Sequence, residues 1–388
     1  MNIEKIFQKY DQKNITIASL GGHSGLDVCH GAKKHGFKTL VVCVKGREKT
    51  YAKYYKTRGE RGCVDDVIVL DKFSDITKKE VQEELRKKNC IFIHNRYFWV
   101  YFDFNDIEKN FLVPIYGSRE LLKLEERDVP RNQYYLLEKA GIRIPKIFVL
   151  PELKFVKGEI SITKGAREDM DRLTLTKVNN AVRTYERENF IASSWKEWLK
   201  IANEKVKGGQ INFADLKDSI VEEFILGAQI NFNFFYSVVN KELELMGTDM
   251  RRQTNLDGVL RLPAVEQGKI PNIEKHIKHI ETGHVAVTCK ESLVEKAFEA
   301  GEKFLVSCKE NAKQELIGPF ALQGAIETRD NKEEIVVFDV SMRIPGSPGT
   351  KFTPYSGYLY GTSMSYGERI ALEIKEALRI GKLEDLLT

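Results

Sequence analysis

Three side chains with oxygen or guanidinium ends alternate along one apolar segment near the C-terminus. Asp339, Ser341 and Arg343 occupy every second position of residues 337–343. Because strand side chains alternate between two faces, a strand here would present all three together. Hard oxygen ligands of this kind suit Mg²⁺, and an arginine can neutralise the charge that develops on a transferred phosphoryl group. A solvated strand face with one salt bridge would show the same spacing.

The preceding apolar run, residues 320–327, offers a second polar face. Gln323, Ala325 and Glu327 alternate in the same way, and the two runs are close enough in the chain to be adjacent strands. Side by side, they predict a metal platform with Gln323 and Asp339 as its ligands.

A further set of residues suits a nucleotide. Lys177 lies near the end of the apolar run 173–178, where an ammonium can meet an α- or β-phosphate as a point charge. Residues 221–227 form an apolar run with paired acids. We expect its members Glu222, Glu223, Phe224 and Ile225 to contact an adenine and a ribose.

Glycines at 21, 22 and 25 surround His23 and Ser24 where a first strand should end and a helix begin. Free backbone N–H groups and the helix dipole favour an anion, such as a phosphate, at such a turn. A tight turn with Ser24 as N-cap is the alternative. A dinucleotide fingerprint is disfavoured because the glycine spacing differs and the second strand runs into Lys45 instead of an acidic residue.

The elements that must position these residues follow two patterns. Strand and helix signals alternate over residues 1–120, which predicts an open parallel α/β domain. A connecting segment at 121–145 ends in Gly141 and Pro145. Longer strands with two amphipathic helices, at about 194–206 and 291–311, follow and predict an α+β region, which we divide into 146–240 and 241–388. Surface loops are expected near 155–172 and 264–282.

Composition narrows the function classes. A length of 388 residues predicts two or three domains, and the net charge of +5 results from 61 basic and 56 acidic residues that are interspersed along the chain. This balance argues for small anions at least as much as for nucleic acid, and we expect small-molecule partners and no nucleic acid. No apolar run is long enough for a membrane span, and the first residues lack a signal core, so we expect a cytoplasmic protein. The six scattered cysteines are interpreted as reduced thiols.

The order of these motifs resembles the archaeal PurP family of ATP-grasp enzymes over nearly the whole chain. The segments that carry the resemblance are residues 15–24, 31–37, 140–145, 222–227, 254–258, 291–293 and 318–323. The resemblance implies an ATP-grasp fold in which 1–120 binds the substrate, 146–240 is the small ATP-grasp subdomain and 241–388 is the large one with the Mg-ATP site. It also implies a homo-oligomer.

The activity implied by the resemblance is ATP- and formate-dependent conversion of AICAR to FAICAR in purine biosynthesis. Formate would attack the γ-phosphate of ATP, and the AICAR amine would attack the resulting formyl phosphate. The family implies that His23 and Ser24 bind the substrate phosphate, that Lys177 and residues 222–225 bind ATP, and that Gln323 and Asp339 surround Mg²⁺. Arg251, Asn255 and Asp257 would line the substrate cleft, with Arg251 and Arg343 as the catalytic candidates.

Several positions depart from the family pattern. Residues 178–190 replace a glycine-rich phosphate lid, so Arg183 and Arg187 would supply side-chain charge instead of backbone N–H groups. Gln253, residues 94–96, residues 345–350 and His284 also differ, and we place His284 among the substrate-binding residues. Three functions therefore stay open: a FAICAR synthetase, a related ligase with another amine or carboxylate, and a nucleotide-binding regulator without turnover.

Overall fold

The computed structural model describes residues 3–127, 129–164, 169–178, 188–271, 273, 281–312 and 314–388. Within these ranges, no helix combines the length and the apolar character that crossing a bilayer requires. The strands form three sheets of four or five members and one separate hairpin.

The first sheet is parallel and has the strand order β3-β2-β1-β4-β5. Its strands are β1 (Thr16–Leu20), β2 (Lys38–Val44), β3 (Asp66–Leu70), β4 (Cys90–Ile93) and β5 (Ile115–Tyr116). The helices of this region are α1 (Ile3–Phe7), α2 (Gly25–Lys34), α3 (Lys79–Lys87), α4 (Tyr97–Val100) and α5 (Phe104–Asn110). The predicted open α/β domain is confirmed. From β1, the chain first adds strands on one side (β2 and β3) and then on the other (β4 and β5). Open α/β sheets bind ligands at the switch point between two such strands, here β1 and β4.

A four-stranded sheet with the order β10-β9-β11-β6 follows α6 (Gln133–Lys139). Its strands are β6 (Ile147–Phe148), β9 (Thr174–Val178), β10 (Glu188–Ala192) and β11 (Ile220–Glu223), and the helices α7 (Trp195–Lys207) and α8 (Phe213–Lys217) accompany it. Part of the loop expected near 155–172 is instead a hairpin, β7 (Glu152–Val156) with β8 (Glu159–Lys164). The positive φ of Lys157 and Gly158 allows the tight turn between these two strands.

The third sheet is antiparallel with the order β14-β13-β12-β15-β16. Its strands are β12 (Ala228–Ser237), β13 (Glu242–Gln253), β14 (Glu281–Val287), β15 (Gly318–Arg329) and β16 (Lys332–Ser341). The remaining helices are α9 (Leu256–Val259), α10 (Ala264–Gln267), α11 (Glu291–Ser307), α12 (Tyr355–Tyr360) and α13 (Tyr366–Ile380). Because β12 pairs with β13 and β15, the larger sheet already begins at Ala228, before the boundary placed at 240.

One irregularity in this sheet affects the site directly. Gln323 is opposite Asp339, but Gly324 is opposite Val337, so Phe338 is an extra residue in β16. A bulge of this kind re-aims the groups around it. A Cβ at position 324 would lie 2.2 Å from the carbonyl oxygen of Val336, so only glycine fits beside the bulge.

The parallel domain is packed against the C-terminal helix through two glycines. A Cβ on Gly31 of α2 would lie 2.1 Å from the backbone of Gly367 in α13, and a Cβ on Gly367 would lie 2.1 Å from the backbone of Asp27. The two helices therefore touch backbone to backbone. The Asp27 carboxylate accepts a hydrogen bond of 2.9 Å from the Gly367 N–H, and Lys34 pairs with Glu368.

Candidate functional site

The glycine turn after β1 contacts the loop that follows β16 of the larger sheet. We call the region between this turn, the platform of Gln323 and Asp339, and Lys177 the cleft. His23 has a φ of 50°, and its Nδ1 lies 2.7 Å from the Ser24 hydroxyl, which donates to the carbonyl oxygen of Pro345. A Cβ on Gly346 would lie 3.1 Å from Nε2 of His23, so the loop after β16 closes over this turn. His23 keeps contact with solvent, but the dense protein surroundings and the charge of Arg343 lower its pKa to about 3. A neutral His23 can donate one hydrogen bond to a phosphate oxygen.

Gln323 and Asp339 lie opposite each other on β15 and β16, as the predicted platform requires. Arg251 from β13 donates to the side-chain oxygen of Gln323, and its guanidinium lies 3.7 Å from Asp339. Gln323 in turn donates to the Ser341 hydroxyl at 2.8 Å. Four of the side chains that were singled out in the sequence therefore meet on one face of the sheet.

Arg343 follows the end of β16 at Ser341 and is not a strand residue. Its guanidinium lies 3.3 Å from Glu125, and the same carboxylate is 3.4 Å from Arg96, which also pairs with Glu126 at 2.7 Å. Arg96 belongs to the turn after β4, so this buried group joins the parallel domain to the larger sheet. The sequence pattern pointed to Arg343 but not to Glu125, whose partners are distant in the chain.

His284 lies across from Arg251 in the pairing of β13 and β14. Its Nδ1 is 2.9 Å from Asp249 and its Nε2 is 3.0 Å from Glu281. Burial alone would lower the pKa of His284, but the two carboxylates outweigh it and raise the pKa to about 9. The imidazolium is therefore charged at neutral pH and is paired with both carboxylates.

The charge on His284 predicts a pH dependence of stability. A pKa that is higher in the folded than in the unfolded protein stabilises the fold fully below the unfolded value of about 6.5, and this contribution is lost as pH rises towards 9. We expect the free energy of unfolding of the wild type, minus that of His284→Asn, to fall by roughly 3 kcal/mol across this window. Urea denaturation at intervals of pH measures the difference. A difference that does not change with pH would mean that His284 is neutral.

Lys177 lies on β9 and faces the bulge in β16. It forms an ion pair with Glu222, and its Nζ lies 3.4 Å from both the Tyr134 hydroxyl and the Phe338 carbonyl oxygen. Tyr134 also donates to Glu222. Burial lowers the pKa of Lys177 to about 8, against the opposing charge of Glu222. The bulge therefore turns a carbonyl oxygen towards an ammonium where the two sheets face each other.

Arg127 is a member of this group that the sequence reasoning missed. Its side chain is 2% exposed, and its guanidinium donates to Asp339 at 3.0 Å and to the Phe338 carbonyl at 3.1 Å. Two further nitrogen atoms of the guanidinium, Nε and Nη1, have no hydrogen-bond partner within the described residues. Buried arginine nitrogens of this kind suit an anionic ligand. Arg127 lies in the charged connecting segment, where nothing in the sequence distinguishes it from its neighbours.

Other predicted residues lie apart from this group. Glu223 faces away from Glu222 and pairs with Arg172 at 2.7 Å and with Arg329 at 3.3 Å. The half-buried Phe224 and Ile225 follow β11 in the segment that leads to β12. Asn255, with a φ of 57°, precedes α9, and Asp257 pairs with Arg252. Arg183 and Arg187 lie outside the described residues.

The residues on the platform fit a hard divalent cation that is coordinated mainly by the phosphates of a bound nucleotide. Among the described side chains, no three of the His, Cys, Asp or Glu type gather into a metal group. Gln323 and Asp339 nevertheless carry an amide oxygen and a carboxylate side by side. The amide oxygen accepts from Arg251 and one carboxylate oxygen from Arg127, so a bound cation would have to displace the Arg251 contact. Mg²⁺ keeps several waters and is commonly bound by one or two carboxylates together with substrate phosphates. The donor set therefore matches Mg²⁺ bound to a polyphosphate.

The chain is similar in sequence to known proteins over most of its length. Family profiles described as a protein of unknown function (DUF1246) and a domain of unknown function (DUF1297) match residues 17–148 and 197–388. A curated protein of Methanothermobacter thermautotrophicus, named 5-formaminoimidazole-4-carboxamide-1-(beta)-D-ribofuranosyl 5'-monophosphate synthetase, is 37% identical over 99% of this chain and 97% of its own.

Solved structures of similar fold include two from nucleotide biosynthesis. The IMP biosynthesis protein PurP from Thermococcus kodakaraensis superposes with a TM-score of 0.66 at 25% identity, covering 96% of this chain and 100% of its own. The N5-carboxyaminoimidazole synthase of Aspergillus clavatus, in complex with ADP and 5-aminoimidazole ribonucleotide, has a TM-score of 0.53 at 14% identity and covers 87% of this chain and 72% of its own. At this lower identity, only the fold is shared.

Proposed function

Because this chain belongs to the family of archaeal 5-formaminoimidazole-4-carboxamide ribonucleotide synthetases, the PurP proteins of the ATP-grasp fold, we propose that it converts AICAR to FAICAR with ATP and formate. It is an ATP-dependent ligase. The observation that best supports the specific reaction is a set of fixed cations, Arg251, Arg343 and His284, which carboxylates hold in place between the platform and the glycine turn. Fixed cations suit a reaction whose three reactants, ATP, formate and a ribonucleotide, are all anions.

In this proposal, one side of the cleft binds ATP and the other side binds the ribonucleotide. Lys177 and Arg127 hold the ATP phosphates, and His23, Ser24 and the free N–H groups of the glycine turn hold the substrate phosphate. Gln323 and Asp339 would hold Mg²⁺, which supplies charge neutralisation at the transferred phosphoryl group. Formate displaces ADP from the γ-phosphoryl group, and the amine then displaces phosphate from formyl phosphate and loses a proton.

Arg251 and Arg343 are the residues best placed to stabilise the transition states. The Arg251 guanidinium lies 3.7 Å from Asp339, and the charge of Arg343 acts on both Asp339 and His23. Phosphoryl transfer depends mostly on positioning and on stabilising charge, which fixed guanidinium groups provide without reorganisation. The closure of the cleft by the loop after β16 would also exclude water from the reactive mixed anhydride.

Phosphate release from Mg-ATP tests the proposal. We expect release only when formate and AICAR are both present, together with a ribonucleotide product heavier by one formyl group in place of hydrogen. Release that needs another amine or acid would indicate a related ligase instead. ATP binding without release under any combination would indicate a regulator. Assembly into a homo-oligomer and a cytoplasmic location stay predictions.

Removal of the His23 imidazole should separate the two sides of the cleft. In His23→Ala, we expect the KM for AICAR to rise by about 10-fold or more, since a charge-assisted hydrogen bond contributes roughly 1.5–3 kcal/mol. The KM for ATP should change less than twofold. Steady-state kinetics with each substrate varied in turn measure both values. Equal losses for AICAR and ATP would contradict the assignment of the glycine turn to the ribonucleotide.

A further inference from the structure

The segment after β2 holds an unusual share of the charge of the protein. Residues 45–61 contain seven basic and two acidic side chains, an excess of five, whereas the whole chain has a net charge of +5. The rest of the chain is therefore balanced. We call this segment the basic rim. Five of its basic side chains are exposed to solvent besides Lys45: Arg47, Lys49, Lys53, Arg58 and Arg61.

The basic rim lies directly beside the glycine turn. β2 is the neighbour of β1, and in a parallel sheet their carboxyl ends share one edge. Gly46, with a φ of 86°, turns the chain after β2, and residues 50–54 then form a short helical turn. The ring of Tyr51 from this turn packs on Gly21, where an added Cβ would lie 2.7 Å from it.

Tyr97, which follows β4, lies between the glycine turn and Arg47 of the basic rim. The Tyr97 ring covers Gly22, because a Cβ there would lie 2.4 Å from the ring. Arg47 is close enough to Tyr97 to influence the titration of its hydroxyl. The rings of Tyr51 and Tyr97 therefore border the turn at which His23 and Ser24 lie, and the charge of Arg47 is near Tyr97.

Local pairing leaves most of this charge unbalanced. Lys45 pairs with Asp71 at 2.5 Å, but Lys56 and Arg58 donate to the backbone carbonyl oxygens of Asp65 and Lys53. Carbonyl oxygens do not neutralise a cation. The field of an exposed cluster of like charges extends over about one Debye length, roughly 8–10 Å at moderate salt.

We propose that the basic rim captures the phosphate group of the ribonucleotide from solution and guides it to the glycine turn. This inference rests on the proposed function, in which that turn binds the substrate phosphate. A patch of one sign beside a binding cleft raises the association rate of an oppositely charged ligand by about 10- to 1000-fold, and salt abolishes the gain. We commit to a small anion because the basic rim adjoins the glycine turn that is proposed to bind the substrate phosphate. The exposed rings of Tyr54 and Tyr55 in the rim can also stack on bases, so the experiment below includes an oligonucleotide.

Two triple variants test this proposal. The first is Arg47→Gln with Lys49→Gln and Lys53→Gln in the basic rim. Its matched control is Lys9→Gln with Lys13→Gln and Lys38→Gln, which removes the same charge from exposed positions near the amino ends of β1 and β2, at the opposite edge of the same sheet. We measure kcat/KM for AICAR and, by calorimetry, the affinity for ribose 5-phosphate, each at low and at high salt.

For the rim variant at low salt, we expect both quantities to fall by about 10-fold, with kcat unchanged, and the loss to disappear at high salt. The control should match the wild type. Equal losses in both triple variants, or a loss that persists at high salt, would overturn the proposal. So would a rim variant that loses affinity for single-stranded oligonucleotide and keeps its phosphate kinetics. Since ribose 5-phosphate binding needs no turnover, an inactive enzyme would refute the proposed reaction while the calorimetry still decides the role of the rim.

Discussion

Replacement of Asp339 by Asn is expected to reduce turnover by about 100- to 1000-fold, the size of effect seen when one preorganised charge-stabilising group is removed from an active site. Asn keeps the shape of Asp339 and can still accept the hydrogen bonds from Arg127 and Gln133. It loses the negative charge that Mg²⁺ requires. The free energy of unfolding should fall by only about 1–3 kcal/mol, because no cavity forms.

The control for this variant is Glu327→Gln. Glu327 lies on β15, four residues after Gln323, but it pairs with Arg143 and Arg329 away from the platform. The change from carboxylate to amide is the same, and turnover should stay within about threefold of the wild type. Phosphate release and urea denaturation give the two readouts. Unaltered turnover in Asp339→Asn would remove Asp339 from the site.

Replacement of Lys177 by Met should have a comparably large effect, but on two properties at once. Glu222 is 2% exposed and would lose the cation with which it is paired. Removal of one partner of a buried ion pair typically costs about 3–5 kcal/mol of stability. We also expect the affinity for ATP to fall by at least about 10-fold, since a cation facing the phosphates is lost.

The double variant Lys177→Met with Glu222→Gln separates these effects. It removes both charges and preserves the approximate volume, so most of the stability should return. The affinity for ATP should stay low, because the phosphate ligand is still absent. Thermal unfolding and calorimetric titration with ATP measure the two properties. Recovery of ATP affinity together with stability would show that Lys177 acts only as the partner of Glu222.

Much of the architecture could be predicted from the sequence because each part has a local signal. The alternation of strands and helices up to Tyr116 predicted the parallel sheet, and the period-two pattern of Gln323 and Asp339 predicted two strands whose polar side chains meet. These signals depend on neighbours in the chain. The boundaries were less certain, since the first turn after a strand, as at Phe224, is as apolar as the strand itself.

The site was only partly predictable for a related reason. Arg127, Glu125 and Tyr134 join it through contacts with residues that are distant in sequence, and their own segment looks like an ordinary charged helix. The bulge at Phe338 breaks the strict alternation that the strand pattern assumes. Glu222 and Glu223 illustrate the converse: adjacent acids in a strand face opposite sides, so they could not both join one ligand group.

The contact between Gly31 and Gly367 limits how this enzyme can move. Helices that touch through their backbones cannot slide without a clash, and the partly buried hydrogen bond from Gly367 to Asp27 fixes their register. We therefore expect the parallel domain and the larger sheet to behave as a single rigid frame during a catalytic cycle. The smaller sheet, which carries Lys177, is then the part that moves relative to this frame. We therefore expect its movement on the nucleotide side of the cleft to limit the rate of product release.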